Sequence, residues 1–256
     1  MMMKRPEPRR LTVLETTRVT PNMHRVLLGG PGLTGFPPEQ DGGYVKLRIP
    51  GEKTCVRTYT IRRQTEEALT LDFALHGEGA AAGPATSWAL TAAPGDELEV
   101  GGPGPAKPLP PGRGPFLLCG DMTALPAISV NLEALSEDAV GRAVIEVQSE
   151  DDRQDIAAPS GMAIEWLINP SPGARPEVLD AAVRGAVRAA GGGDGTAYAW
   201  AACEFDAMRR LRQYLRAECG LGPDRLYISS YWKRGLIEDE HKVAKRTDAE
   251  TDVVSA

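Results

Sequence analysis

Along the N-terminal part of the chain, apolar and polar positions alternate in short runs: "RRLTVLETTRVT", "HRVLLGG", "GYVKLRIP", "VRTYTIRR", "ALTLDFALH" and "DELEVGG". Period-two alternation puts successive side chains on opposite faces of a strand. Six such closely spaced runs, with turn residues between them and no long helix, predict a closed antiparallel barrel. One segment breaks the rhythm: "GPATSWALTAAPGD" predicts a short helix between the last two strands, stopped by Pro94-Gly95. Residues 101–115, "GGPGPAKPLPPGRGP", are too rich in Gly and Pro for helix or sheet and read as a domain linker.

Beyond the linker the period changes. Apolar runs "FLLCG", "AVIEVQ", "AIEWLI", "AYAWAAC" and "RLYISSY" alternate with helical stripes, which predicts an α/β domain with a mostly parallel sheet. Thr123 is the expected N-cap of a helix over 123–137, carrying Leu125, Ile128, Leu132 and Leu135 on one side. A second helix follows Pro176 and stops at the glycines of 191–193. A third, over 204–218, lines up Phe205, Met208, Leu211 and Leu215 before Gly220. The expected domains are 1–113 and 114–256, with a polar tail fraying beyond about residue 245.

Composition narrows the function classes. At 256 residues a substantial core is available without staples, and the four cysteines (Cys55, Cys119, Cys203, Cys219) are too dispersed for a disulfide framework or thiolate metal site. The formal charge of −6 argues against nucleic acid bound on a broad basic face. No run approaches a membrane span, and "MMMKRPEPRR" lacks the apolar core of a signal peptide, so a cytoplasmic protein without stable membrane insertion is expected. With three histidines and neither G-x-S-x-G nor H-E-x-x-H, hydrolase and zinc-enzyme readings have little material.

Candidate chemistry sits in four places. In "CVRTYTIRR", Arg57, Tyr59 and Ile61 share a strand face, either as a ligand cradle or as long side chains at a barrel rim. "DFALHGEGAAAGPATSWA" sets Asp72 and His76 on one face ahead of small residues and a helix start after Pro84; this is a phosphate-binding turn or a plain surface loop. "LLCGDMTALPAI" turns from strand to helix at Gly120, offering either a nucleotide-binding turn or an ordinary capped helix. The spacing G-x-G-x-x-G is absent, which argues against a standard Rossmann dehydrogenase. In "AWAACEF", Glu204 opens a helix, where an acid is favourable with or without a ligand.

Taken together, "RTYT", "DFALHG", "GPATSWA", "PGD", "GGP", "CGDMTALPAI" and "ISSYWKRG" resemble, in order and spacing, the siderophore-interacting protein family, flavin-dependent ferric-siderophore reductases of the ferredoxin-reductase-like group. The resemblance spans nearly the whole chain and implies an FAD-binding barrel followed by an NAD(P)H-binding domain. It implies that Arg57 pairs with the FAD phosphates, Tyr59 and Thr60 meet the ribityl chain and flavin ring, and His76 and Gly77, beside Asp72, lie near the adenine or pyrophosphate. Gly83, Ala85 and Thr86 would form the phosphate-binding helix start, with Trp88 packed beneath. Gly120, Asp121, Thr123 and Ala124 would face the nicotinamide nucleotide, closed by Glu204, while Tyr231, Trp232 and Gly235 pass near the flavin as a lid. The chain departs from the family pattern at Gly104-Pro105, where an arginine is frequent, and in reading "GDMT" for "GDET".

The implied activity carries electrons from NADPH or NADH through FAD to a chelated ferric ion, releasing ferrous iron; a flavin accepts hydride and passes electrons singly, so no acid–base residue is required. An anionic ferric siderophore needs a local positive site on an acidic protein. The candidates are Lys46 and Arg48 on one strand face and Lys233 and Arg234 in "WKRG", with Lys46 and Lys233 foremost. Two alternatives fit the same residues: a flavin reductase serving a redox protein partner, and a flavin- or siderophore-binding protein without turnover.

Overall fold

The computed structural model describes residues 7–51, 54–75, 83–190, 193, 195–236 and 238–254. It divides into two compact units, the first ending at Pro108 and including Ser129–Asn131, the second made of the remaining residues. The division falls inside the Gly/Pro-rich segment, somewhat ahead of the 113/114 boundary expected from sequence.

The first unit is a closed barrel of six antiparallel strands in the order β1-β2-β5-β4-β3-β6. Its strands are β1 (Arg9–Thr20), β2 (Met23–Gly29), β3 (Tyr44–Ile49), β4 (Cys55–Gln64), β5 (Ala68–Ala74) and β6 (Glu97–Gly104). Alternate residues point inward: Val45, Leu47 and Ile49 of β3 and Leu69, Leu71 and Phe73 of β5 are buried in one cluster with Leu11, Val26, Leu28 and Leu98. Helix α1 (Pro84–Thr91) packs against β2, β3 and β5. Pro84 presets the first helical φ, and the helix ends at Ala92, whose extended backbone leads to Pro94. Phe73 is fully buried between two aromatic rings, 4.1 Å from Tyr59 and 5.8 Å from Trp88, centroid to centroid. Strand β6 extends to Gly104, paired with Tyr44. Residues 101–104 of the expected linker are therefore sheet, because Gly104 leaves room for the Tyr44 ring, whose nearest atom would lie 2.0 Å from an added Cβ.

The second unit is a five-stranded parallel sheet ordered β11-β10-β7-β8-β9. The strands are β7 (Phe116–Gly120), β8 (Val140–Val147), β9 (Gly161–Ile168), β10 (Tyr198–Glu204) and β11 (Leu226–Trp232). Every residue of β7 is buried, as befits a central strand covered on both faces. Leu117 and Cys119 join α3 (Glu177–Ala189) and α4 (Phe205–Gln213) on one face. Gly120 faces α2 (Leu125–Glu133) on the other, where an added Cβ would come within 2.8 Å of Ala124 Cβ and 2.4 Å of the Ala202 carbonyl. That glycine is required by the close approach of strand and helix.

Two helix ends differ from expectation. Thr123 does not cap α2; it donates its amide and hydroxyl to Asp121 Oδ1, and the helix begins at Leu125. Past residue 245 the chain does not fray but continues as α5 (Glu238–Val254). Asp248 receives Arg212 at 2.7 and 3.0 Å and Arg209 at 3.0 Å, while Lys245 donates to Ser229 Oγ and the Ser230 carbonyl. Polar partners hold this helix against the edge strand β11, so an apolar stripe was a poor guide to it. Among the described residues no helix is long and apolar enough to cross a membrane.

Replacing Phe73 by Ala removes the centre of the aromatic stack and is expected to destabilise the barrel by about 3–5 kcal/mol. Urea denaturation followed by circular dichroism measures it; a loss below about 1 kcal/mol is incompatible with this packing.

Candidate functional site

In the barrel, register places Arg57 opposite Leu47 and Tyr59 opposite Val45, so both start from the inward-facing side of β4. Arg57 is half-buried; its Nη1 donates to the neighbouring Val56 carbonyl at 2.9 Å, and no carboxylate among the described residues pairs with it. Thr60, opposite Tyr44, lies on the other face, as do Lys46 and Arg48. Tyr59 and Thr60 are thus separated by the strand, with only Tyr59 packed on the core.

Helix α1 starts at Gly83, which is extended at φ −66° and ψ 158° and supplies no side-chain cap. The first intrahelical bond is from the Ser87 amide to the Gly83 carbonyl, leaving the Ala85 and Thr86 amides ahead of the ladder. Among the described residues, nothing lies within 4 Å of a Cβ added at Gly83. Open space at a helix start and a guanidinium without an acid partner fit a phosphate-bearing cofactor. Trp88 lies beneath, against Phe73. Asp72 is committed elsewhere: buried on β5, it receives Arg25 of β2 through two hydrogen bonds of 2.7 and 2.8 Å. His76 and Gly77 lie outside the described residues.

In the second unit, strand order reverses between β7 and β10, and ligands of such sheets bind beyond the carboxyl ends of the strands at this point. Asp121 occupies it, 3% exposed. Its Oδ1 accepts from the Thr123 amide and hydroxyl; its Oδ2 accepts from the Glu204 amide and from the Trp232 indole, each at 2.8 Å. Glu204 ends β10 and caps α4, accepting from the Asp206 amide at 2.6 Å and the Ala207 amide at 3.3 Å, while its other oxygen accepts from the Arg234 amide at 3.2 Å. Burial pushes the Glu204 carboxyl upward against these three donors. Gly173, at φ +72°, passes so closely over Trp232 and Glu204 that a Cβ there would lie 2.8 Å from the indole and 3.0 Å from Glu204 Cγ. Ala124, adjoining this turn, is fully buried. Tyr231 lies beside Tyr227, and burial with that contact raises its phenol well above the usual range.

Family comparison decides what these two units are. Residues 114–235 match the model described as "Siderophore-interacting protein", and residues 12–55 and 48–107 match "Siderophore-interacting FAD-binding domain". The chain belongs to the siderophore-interacting protein family. It is 33% identical to ferric vibriobactin reductase ViuB of Vibrio cholerae, over 91% of this chain and 92% of that one. It is 28% identical to the NADPH-dependent ferric-chelate reductase of Escherichia coli, over 88% and 92%. The siderophore-interacting protein SipS from Aeromonas hydrophila has a similar crystal structure, with a TM-score of 0.82 at 30% identity, covering 98% of this chain and 99% of that one.

As a siderophore-interacting protein, the chain uses its barrel to bind FAD, and Arg57 and the α1 start are the described groups that fit its phosphates. The basic residues differ in their commitments. Arg48 pairs with Glu99 at 3.0 Å, and Lys233 lies 3.5 Å from Asp206 Oδ1 and 3.9 Å from the Phe205 ring centroid. Lys46 and the Arg234 side chain carry no ion pair among the described residues. Gly235, exposed at φ +77°, follows them.

Sequence reasoning missed Glu146, 5% exposed at the carboxyl end of β8. Burial first, then the charges of Asp121 and Glu204, push its carboxyl up to about 7, with Asn169 opposing. Its signal was an acid inside the apolar run "AVIEVQ". His24 was missed too: buried beside α1, its imidazole is pushed down by burial and by Arg18 and stays neutral near pH 7.

Asp121→Asn turns an amide NH₂ toward donors that now meet an oxygen, and a loss of about 1–3 kcal/mol is expected in chemical denaturation. An unchanged midpoint contradicts the hub. Glu146 has a folded-state value raised from 4.5 to about 7, so its contribution is intact below 4.5 and is lost as pH rises through about 7. Thermal melts should therefore show Glu146→Gln gaining on the native protein from pH 5 to pH 8; a constant difference contradicts this.

Proposed function

We propose that this chain is a ferric-siderophore reductase that takes electrons from NADPH or NADH and passes them through FAD to a chelated ferric ion. The observation that carries the reading is that one chain holds both an FAD-binding barrel and a parallel sheet with a topological switch point between β7 and β10. Similarity to a ferric vibriobactin reductase and to an NADPH-dependent ferric-chelate reductase supports the substrate class and the donor.

When bound, FAD supplies the conversion between two-electron hydride transfer and single-electron delivery. The residues then have binding and orienting roles. Arg57 neutralises phosphate charge, and the α1 start directs the Ala85 and Thr86 amides at it. Asp121 and Glu204 shape the donor crevice, with Gly120, Thr123 and Ala124 keeping strand and helix close. Tyr231, Trp232 and Gly235 contribute its cover. Each unit brings its own basic residues to attract an anionic chelate: Lys46 and Arg48 on β3 of the first, where the exposed Arg48–Glu99 pair is weak enough to exchange, and Lys233 and Arg234 after β11 of the second. Asp72 acts on FAD through Arg25 and strand alignment. The chain works in the cytoplasm, where NADPH is supplied.

Anaerobic absorbance scans of the FAD-loaded protein should show bleaching by NADPH or NADH and recovery on adding a soluble ferric chelate, with ferrous iron captured by a chromophore. Turnover only with an added redox protein supports the partner-dependent flavin reductase, and no bleaching by either donor overturns the reading. Arg57→Ala is expected to weaken FAD binding about 10- to 100-fold, the scale of one charge-assisted contact. Fluorescence titration measures this, while apoprotein melting stays unchanged.

A further inference from the structure

The carboxyl ends of β7, β8 and β10 bring three acids together: Asp121, Glu146 and Glu204 are 3%, 5% and 2% exposed. This is an unfavourable lining for an anionic dinucleotide. Asp121 is satisfied by four donors, and Glu204 by three backbone amides. Glu146 has no such set. Facing it are Asp121 just after β7, Cys203 and Glu204 of β10, and Asn169 just after β9; α3 covers β8 with Leu179 and Val183, its Asp180 and Arg184 being paired to each other. Among the described residues no cation is named beside it.

A second observation points into the same place. Asn169 is 4% exposed; its side chain comes within hydrogen-bonding reach of Glu146 and favours the ionised form, yet among the described residues its Nδ2 closes no hydrogen bond of good geometry. Its Oδ1 accepts from the Ser171 amide at 3.2 Å, so Nδ2 is the atom that reaches toward Glu146. A buried amide donor that reaches toward a carboxyl without closing a well-formed bond on it is a polar site left open.

Resting on the donor-crevice reading above, we propose that Glu146 is a proton-coupled specificity element: an anionic nicotinamide dinucleotide enters as Glu146 takes a proton from solvent, leaving a neutral acid beside the Asn169 amide. The added negative charge disfavours ionised Glu146, and by reciprocity protonated Glu146 favours the dinucleotide. Donor affinity therefore rises as pH falls through neutrality.

Isothermal titration of NADP⁺, and separately NAD⁺, into the FAD-loaded full chain tests this at pH 7 in two buffers of different ionisation enthalpy. If binding raises the Glu146 value by about one unit, uptake is about 0.4 proton, and affinity at pH 6 exceeds that at pH 8 about fivefold. Subtracting the same data for Glu146→Gln removes the titration of the ligand's own 2′-phosphate. Uptake that vanishes in the variant supports the proposal; equal uptake in both proteins, or none in the native protein, overturns it. The native two-buffer comparison stands even if the variant misfolds. Failure of both dinucleotides to bind overturns the donor-crevice reading itself, a result distinct from binding without uptake.

Discussion

At the Asp121 carboxylate, one anion accepts hydrogen bonds from the turn after β7, from the end of β10 and from the indole closing β11. In a parallel sheet these strand ends have no ladder to one another beyond their last paired residues, so their relative placement needs a side-chain anchor. With four donors converging on it, ionised Asp121 is well solvated by protein, and charge-assisted bonds of this kind are stronger than neutral ones. Glu204 is held in turn, since its amide is one of those donors and its carboxylate caps α4. The fixed charge also has a cost to its neighbourhood, which falls on Glu146.

The barrel solves a different problem. Arg57 starts from an inward-facing position of β4, where neighbouring positions are filled by Tyr59 and Ile61, yet among the described residues no acid pairs with it. Arg25 shows the contrast: on β2 it finds Asp72 directly across the ladder and forms a two-point pair. Two arginines of one barrel thus divide between holding the sheet and remaining available to an anion. The aromatic stack of Tyr59, Phe73 and Trp88 ties β4, β5 and α1 into one packed unit, so the helix start and the arginine strand are placed by the same core.

Much of this was legible in the residues. Alternation marked all six barrel strands, with β1 recovered end to end, and the unbroken apolar run of β7 marked a central parallel strand. The residue types of Arg57, Gly83, Asp121 and Glu204 drew attention because each suits a ligand at its place: an arginine beside a tyrosine on one strand face, a glycine and acids at turns into helices. The α5 helix was illegible, because its stability comes from Asp248, Lys245 and His241 meeting partners on α4 and β11, and those are polar contacts distant in sequence.

Local sequence therefore determined the periods, the turns and the two-unit plan, since backbone sterics and side-chain alternation act between near neighbours. Tertiary structure alone decided which charges are committed and which are open. Asp72 looked like a ligand residue until strand register set Arg25 opposite it. Thr123 looked like a cap until Asp121 took its donors. Glu146 became titratable near neutrality only where burial and two other acids, from strands 25 and 58 residues away, surround it. Electrostatic environments are sums over groups assembled in space, and one-dimensional spacing does not contain that sum.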